Sequence, residues 1–268
     1  MSLADRAATV MLVGLTGLVF VLLYGPLVVP IASSFFTVSH GAVDWSQPNL
    51  AAYGALTENE SVLDALRTTL VVGAGAVVLS VAIGTGLALY YVSPNARGRE
   101  FLQFAIFLPF LMPPIITGLA LLIYFREIEF ERSLVTIVIG HTVFVLALVY
   151  RTILARLQTL SSSLVEASYD LGASGWQTFR LVLLPNLSSA MVGAAILAFA
   201  LSFDETMITL LVTGTQSTLP VRLWAMMRLG FTPDINALVA LVLLFTTLLC
   251  LLAVRFLMPS GAAMAEGS

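Results

Sequence analysis

The sequence predicts an all-α, polytopic membrane protein with six transmembrane helices, and three observations predict it. Of the 268 residues, 59% are hydrophobic and 10% charged, with a mean hydropathy of +1.00. A soluble domain carries about 25% charged and 45 to 50% apolar residues, so an apolar core under a polar skin cannot absorb this surplus, which faces lipid. The apolar residues are gathered into six runs, each near the ~20 residues that cross a hydrocarbon core. Only short polar segments remain between them, which makes 1–268 a single transmembrane domain with no room for a large soluble one.

The first span runs from about Ala7 to Phe36, far longer than the 7 to 15 residues of a signal-peptide core. Pro26 and Pro30 near its far end are tolerable where neighbours satisfy the freed carbonyls. Residues 37–67 are polar and acidic, with Asp44, Glu58, Glu60 and Asp64, and form the extracytoplasmic loop. Within it Leu50 to Leu66 can form a surface helix, with Tyr53 as an interfacial anchor.

A second span, Thr68 to Val92, is rich in small residues at Gly73, Ala74, Gly75, Gly84 and Gly86; these allow close helix approach, so it packs against protein more than lipid. The third span, Phe101 to Phe125, contains Pro109, Pro113 and Pro114 and should be bent or broken. Irregular backbone at membrane depth survives only where it is buried in protein or lines a cavity, so Pro113 marks either a pathway or a packing kink. The fourth span, Leu134 to Leu154, holds His141, which either bonds a neighbour or relays protons. Fifth and sixth spans cover Asn186 to Val212 and Ile235 to Leu257.

Six crossings put both ends on one side. Arg6, Arg97, Arg99, Arg151, Arg156, Arg180 and Arg255 fall on that side, against Arg67, Arg126, Arg132, Arg222 and Arg228 on the other. The arginine excess places both termini in the cytoplasm.

All 12 basic residues are arginine. Without lysine there is no P-loop grip on nucleotide phosphates and no Schiff base, so any ATP that drives this protein is bound by another subunit. No basic patch points to nucleic acid. Cys250 is the single cysteine, which excludes an internal disulfide or a cysteine-based metal cluster. His40 and His141 are too few for a zinc site without carboxylate help.

Residues 151–185 form the longest polar stretch of the second half and read as a cytoplasmic segment. Ser163-Leu164-Val165-Glu166 fits a capping box, so a helix should begin at Leu164 and present Leu164, Ala167, Ser168 and Leu171 on one face. Gly172 supplies the positive φ that ends it. A second box, Ser174 to Gln177, starts a helix carrying Phe179, and Pro185 suits the first turn of the fifth span.

Glu166, Ala167, Gly172, Val182, Leu184 and Pro185 resemble the E-A-A–x3–G–x9–I–x–L–P signature of ABC-importer permease subunits, with Ser168 in place of the second alanine and Val182 in place of isoleucine. The likeness extends through SFDETMITLLVTG, TLPVRLWAMMRLGFTPDINAL and the proline-rich third span, covers most of the chain, and looks like the permease family of spermidine/putrescine-type importers. It implies the type I ABC importer permease fold in a bacterial inner membrane. It also implies a second permease subunit, an ABC ATPase dimer that uses ATP and magnesium, and an extracytoplasmic solute-binding protein. The resemblance makes 151–185 the coupling segment, in which Glu166 to Gly172, Asp170 included, would seat the ATPase together with Phe179 and Pro185. No cofactor would be bound by this chain.

Asp204 and Glu205 lie in AFALSFDETMITLLV, about 28 to 30 Å past Pro185 along a straight helix. Intramembrane acids face a partner or a water-filled cavity. Either at least one of them lines a pathway for a cationic cargo such as a polyamine, or one pairs with an arginine such as Arg222 or caps a broken helix. Related importers also carry opines, aminophosphonates and thiamine. A proton-coupled secondary carrier using Asp204, Glu205 and His141 is the competing class, though no inverted repeat is apparent. An intramembrane enzyme lacks any recognisable nucleophile or metal motif.

Overall fold

Each predicted span is helical in the computed structural model, which describes residues 3–39, 42–229 and 233–257. Five helices are long and apolar enough to cross a membrane, and a sharply bent pair makes a sixth if counted as one broken span. Packing divides the chain into two units, 1–63 with 223–245 and 64–222 with 246–268.

The first unit opens with α1 (Leu3–Ser33), which carries Pro26 and Pro30 inside it. None of its most apolar stretch is buried, as expected of a helix solvated by lipid. Residues 37–67 are more ordered than a polar loop. Strands β1 (Phe36–Ser39) and β2 (Ala42–Pro48) pair antiparallel, with an irregularity between Phe36 and Thr37. The Phe36 and Trp45 rings meet at 4.9 Å. Ser46 donates its hydroxyl and its amide to Asp44, which holds that carboxyl below its ordinary range. His40 lies outside the described residues.

The single surface helix expected over Leu50 to Leu66 is instead split. Helix α2 (Ala51–Glu58) stops, and α3 (Glu60–Val92) starts well before Thr68. The cause is Asn59, whose side-chain oxygen accepts from the Val62 amide and the Ser61 hydroxyl, the bonding of a helix-starting cap. Tyr53 on α2 reaches the Ser34 hydroxyl at 2.7 Å, so it clamps the end of α1.

The second unit is centred on α6 (Leu134–Thr159). Val145, Ala147, Val149, Tyr150 and Ile153 of α6 are fully buried, with Leu187, Ala194 and Ala198 of α9 (Leu184–Asp204) beside them. Helix α3 closes on both through its glycines. A Cβ at Gly84 would lie 3.2 Å from the Tyr150 backbone, and one at Gly73 would lie 2.7 Å from the Phe199 ring. Gly86 faces open space instead.

The third span is broken as its prolines predict, into α4 (Arg99–Leu111) and α5 (Pro114–Glu127) at 106°. Pro113 and Pro114 remove two successive amide donors, and Met112 before them is extended, the conformation that a following proline enforces. The Thr117 hydroxyl reaches back to the Pro109 carbonyl at 3.2 Å.

The fifth span departs from expectation at both ends. It does not begin near Asn186. Helix α8 (Gly175–Thr178), a π turn (Phe179–Leu183) and α9 form one rod of 30 residues ending at Asp204. Pro185 has no amide to offer the preceding turn, and the wider π turn absorbs this. There the Leu184 amide bonds Phe179, and the Asn186 side chain supplies the Val182 carbonyl at 2.7 Å. At the other end the run does not continue to Val212. It stops at Asp204 and resumes as α10 (Met207–Val212). Helices α11 (Leu219–Leu229) and α12 (Pro233–Leu257) are the last of the described residues.

Candidate functional site

Residues 161–179 fold as a tight helical hairpin. Helix α7 (Ser162–Asp170) is capped by Ser161, which accepts from the Ser163 amide, so the box expected at Ser163 does not form. A cap needs non-helical backbone; Ser161 is extended, whereas Ser163 is already inside the helix. Gly172 sits at φ +79°. Its amide bonds Tyr169 and the Ala173 amide bonds Ser168, the paired closure of a Schellman motif. The second box forms as predicted, with the Ser174 amide donating to Gln177 Oε1 at 2.7 Å and Gln177 returning its amide to Ser174 Oγ.

The predicted docking face is mostly outward. Glu166, Ala167 and Asp170 are exposed, and so are Leu164 and Leu171, the latter at 89%. Ser168 is the exception. It is buried and bonds Thr178 Oγ1 at 2.9 Å, so it pins α7 to α8 rather than facing a partner. Trp176 stands exposed against the half-buried Phe179. Exposed apolar side chains on a hydrogen-bonded frame are what a protein-docking surface requires.

The hairpin is rooted in two helices. Only Leu160 and Ser161 separate α6 from α7, and α8 runs on into α9. Arg156 of α6 donates Nε to the Asn186 carbonyl at 3.1 Å, which ties the two roots together beside the hairpin.

The acidic pair marks the break after α9. Asp204 is exposed, whereas Glu205 is buried to 7%. Glu205 Oε1 accepts from the Ile208 amide at 2.8 Å, so this carboxylate caps the restarted helix. No ion pair joins either acid to Arg222 among the described residues.

His141 stands at the same break and is 1% exposed. Its Nδ1 lies 2.7 Å from Ser202 Oγ on α9, and its Nε2 lies 2.7 Å from Thr209 Oγ1 on α10. At the far end of α10, Thr136 Oγ1 donates to the Val212 carbonyl at 2.7 Å. Two glycines admit α10: a Cβ at Gly140 would lie 2.7 Å from Ile208, and one at Gly118 would lie 3.1 Å from the Ile208 backbone. Gly118 is on α5, the half-helix that follows the exposed Pro113. The half-helices beyond the two breaks therefore lie against each other.

Ser202, Thr209, Thr136, Gly118 and Gly140 were not marked by sequence reasoning. Their one signal is a small or hydroxyl-bearing residue inside an apolar run, which is common in helix-packing seams.

Residues 79–258 match the model of the family described as binding-protein-dependent transport system inner membrane component. The chain is similar to the putrescine transport system permease protein PotI of Escherichia coli (strain K12), at 33% identity over 84% of this chain and 82% of that one. It is also similar to the spermidine/putrescine transport system permease protein PotC of the same strain, at 27% identity over 85% and 86%. Its fold matches a chain of a bacterial ABC transporter involved in the import of the acidic polysaccharide alginate, at a TM-score of 0.74, 16% identity and coverage of 96% and 99%. A chain of the inward-facing MetNI methionine ABC transporter matches at 0.61, with 20% identity and coverage of 77% and 96%.

Proposed function

From the premise that this chain belongs to the binding-protein-dependent transport system inner membrane component family, and is a permease subunit of an ABC importer, we propose that it forms half of a translocation pathway for a polyamine. A solute-binding protein delivers the cargo from outside, and a second permease completes the pathway. An ABC ATPase dimer, using ATP and magnesium, sits on the 161–179 hairpin. Both termini then lie in the cytoplasm, and 1–268 acts as one permease domain.

The observation that carries the mechanical part is the hairpin. It is capped at each start, closed by Gly172, and continuous with the rods that lead to the break. A push from the ATPase therefore moves α6 and α9 instead of melting the segment that receives it. Two features support a polyamine as cargo: the names of the relatives PotI and PotC, and an exposed carboxylate at Asp204 beside a capping one at Glu205. Burying an ammonium group without a counter-charge is costly, and Asp204 supplies that charge. Pro113, at the other break, belongs to the same pathway.

The test is uptake of radiolabelled putrescine by the reconstituted complex. Asp204→Asn should lower uptake roughly tenfold, the worth of one charge-assisted contact, while assembly and basal ATP hydrolysis persist. Unchanged uptake removes Asp204 from the pathway. Replacing Glu166 and Gly172 together should abolish uptake, and full pumping with the ATPase still bound would overturn the coupling role.

A further inference from the structure

We propose that His141 is the positioning residue that makes α10 travel with the α6–α9 pair, so that motion received at the hairpin crosses the break and reaches the half-helices beyond it. The inference deepens the coupling role assigned to residues 151–185 and rests on it.

Helix α10 is joined to α9 through Glu205 and Thr206 alone, and Glu205 has extended backbone. Glu205 is fastened to α10 by the Ile208 amide and the Thr209 hydroxyl but to α9 only by its own amide on the Ser202 carbonyl, so the link hinges on the α9 side. Through the chain alone, α9 could move while α10 stayed behind.

Side chains replace what the backbone lost. Helices α6 and α9 are tied at one end by Arg156 to the Asn186 carbonyl and at the other by His141 to Ser202. The Asn186 to Ser202 separation corresponds to about 24 Å of helix, so the pair is pinned along most of its length. The second nitrogen of His141 then holds Thr209. One imidazole thus joins three elements, on both sides of the break, from a position with almost no exposure.

Imidazole suits this task. It is rigid, and its two nitrogens diverge, so one ring bonds hydroxyls on opposite sides. The Thr209 hydroxyl also donates to the Glu205 carbonyl at 3.2 Å, so the ring grips a side chain already fixed to the link, and breaking its buried bonds to Ser202 and Thr209 is costly. Thr136 to Val212 fastens the distal end of α10 to α6; the proximal end, next to Asp204, packs on α6 through Ile208 at Gly140 and is bonded to it through His141.

The test uses the complete complex, purified through a tag on this chain and reconstituted with its binding protein. The first readout is putrescine uptake per ATP hydrolysed. His141→Ala should lower that ratio about fivefold for each bond lost, while binding-protein-stimulated hydrolysis continues. Ser202→Ala removes one bond to the ring and should give a single such step. His141→Gln, which retains a donor and an acceptor, should recover most of the ratio. A purely structural role would lower hydrolysis and uptake in step and leave the ratio fixed.

The second readout does not depend on the cargo. Spin labels at Leu210→Cys and Ala155→Cys in a Cys250→Ala background should keep one separation when the complex is trapped with ATP and vanadate. The same pair in His141→Ala should shift or broaden. An unchanged ratio in His141→Ala, no advantage of Gln over Ala, or a label separation indifferent to His141 would overturn the inference. Failure of the coupling role itself shows elsewhere, as full pumping in the Glu166 and Gly172 double variant.

Discussion

Gly172 and Glu129 occupy the same kind of position with opposite chemistry. Both follow a helix at positive φ, +79° and +54°. Both close a Schellman motif: at the second, the Glu129 amide bonds Arg126 and the Phe130 amide bonds Phe125. Glycine takes this conformation freely, whereas an L side chain costs about 1 to 2 kcal/mol. Gly172→Ala should therefore destabilise the protein by roughly 1 kcal/mol, and Glu129→Gly should stabilise it by up to about 1 kcal/mol. Thermal unfolding in detergent reads both. Gly172 was legible because glycine in that spacing has few other uses. Glu129 was not, since REIEFERS contains no glycine or asparagine; the turn instead carries Phe130 on Phe125 at 5.8 Å, the apolar contact that accompanies such a closure and that shows only once the helix end is placed. At Glu205 the relevant group is an acceptor for the Ile208 amide. Glu205→Gln keeps that acceptor and should be nearly neutral in the same assay, while Glu205→Ala should cost about 1 to 2 kcal/mol.

Among the elements, α10 shows most clearly what periodicity does not encode. Residues 186–212 read as one apolar run, and no proline interrupts it after Pro185. The break at Asp204 and Glu205 arises because a buried carboxylate satisfies the new helix start, and because Gly118 and Gly140 open a slot that only a displaced half-helix fills. The broken third span was legible because proline states its own disruption. Ser163 was misread as a cap because three serines in a row, Ser161, Ser162 and Ser163, offer three registers, and the backbone selects the first. The slot gives a direct prediction. Gly140→Val drives a branched side chain into Ile208 and should cost about 1 to 3 kcal/mol by overpacking, seen as a lower melting temperature and reduced yield of assembled complex.

For the whole molecule, composition alone demanded a membrane protein, and the twenty-position signature from Glu166 to Pro185 carried the family. Family membership also removes the proton-coupled secondary carrier from consideration. Arginine counting yields an orientation with a direct check. In a Cys250→Ala background, Glu131→Cys should react with an impermeant maleimide in intact cells, and Leu171→Cys should react only after permeabilisation. Both positions are exposed, so the difference reports sidedness, and a reversed pattern would invert the topology. The π turn at Phe179–Leu183 bears on the same scale of motion. Such a turn parks one surplus residue in an otherwise regular rod. Migration of that surplus as far as the break would turn the stretch it passes through by about 100° and advance it by about 1.5 Å, leaving the docked end still. A shaft built this way can swivel its carboxylate toward or away from cargo with an axial shift of only one residue's rise, a rotary degree of freedom that a straight α-helix lacks.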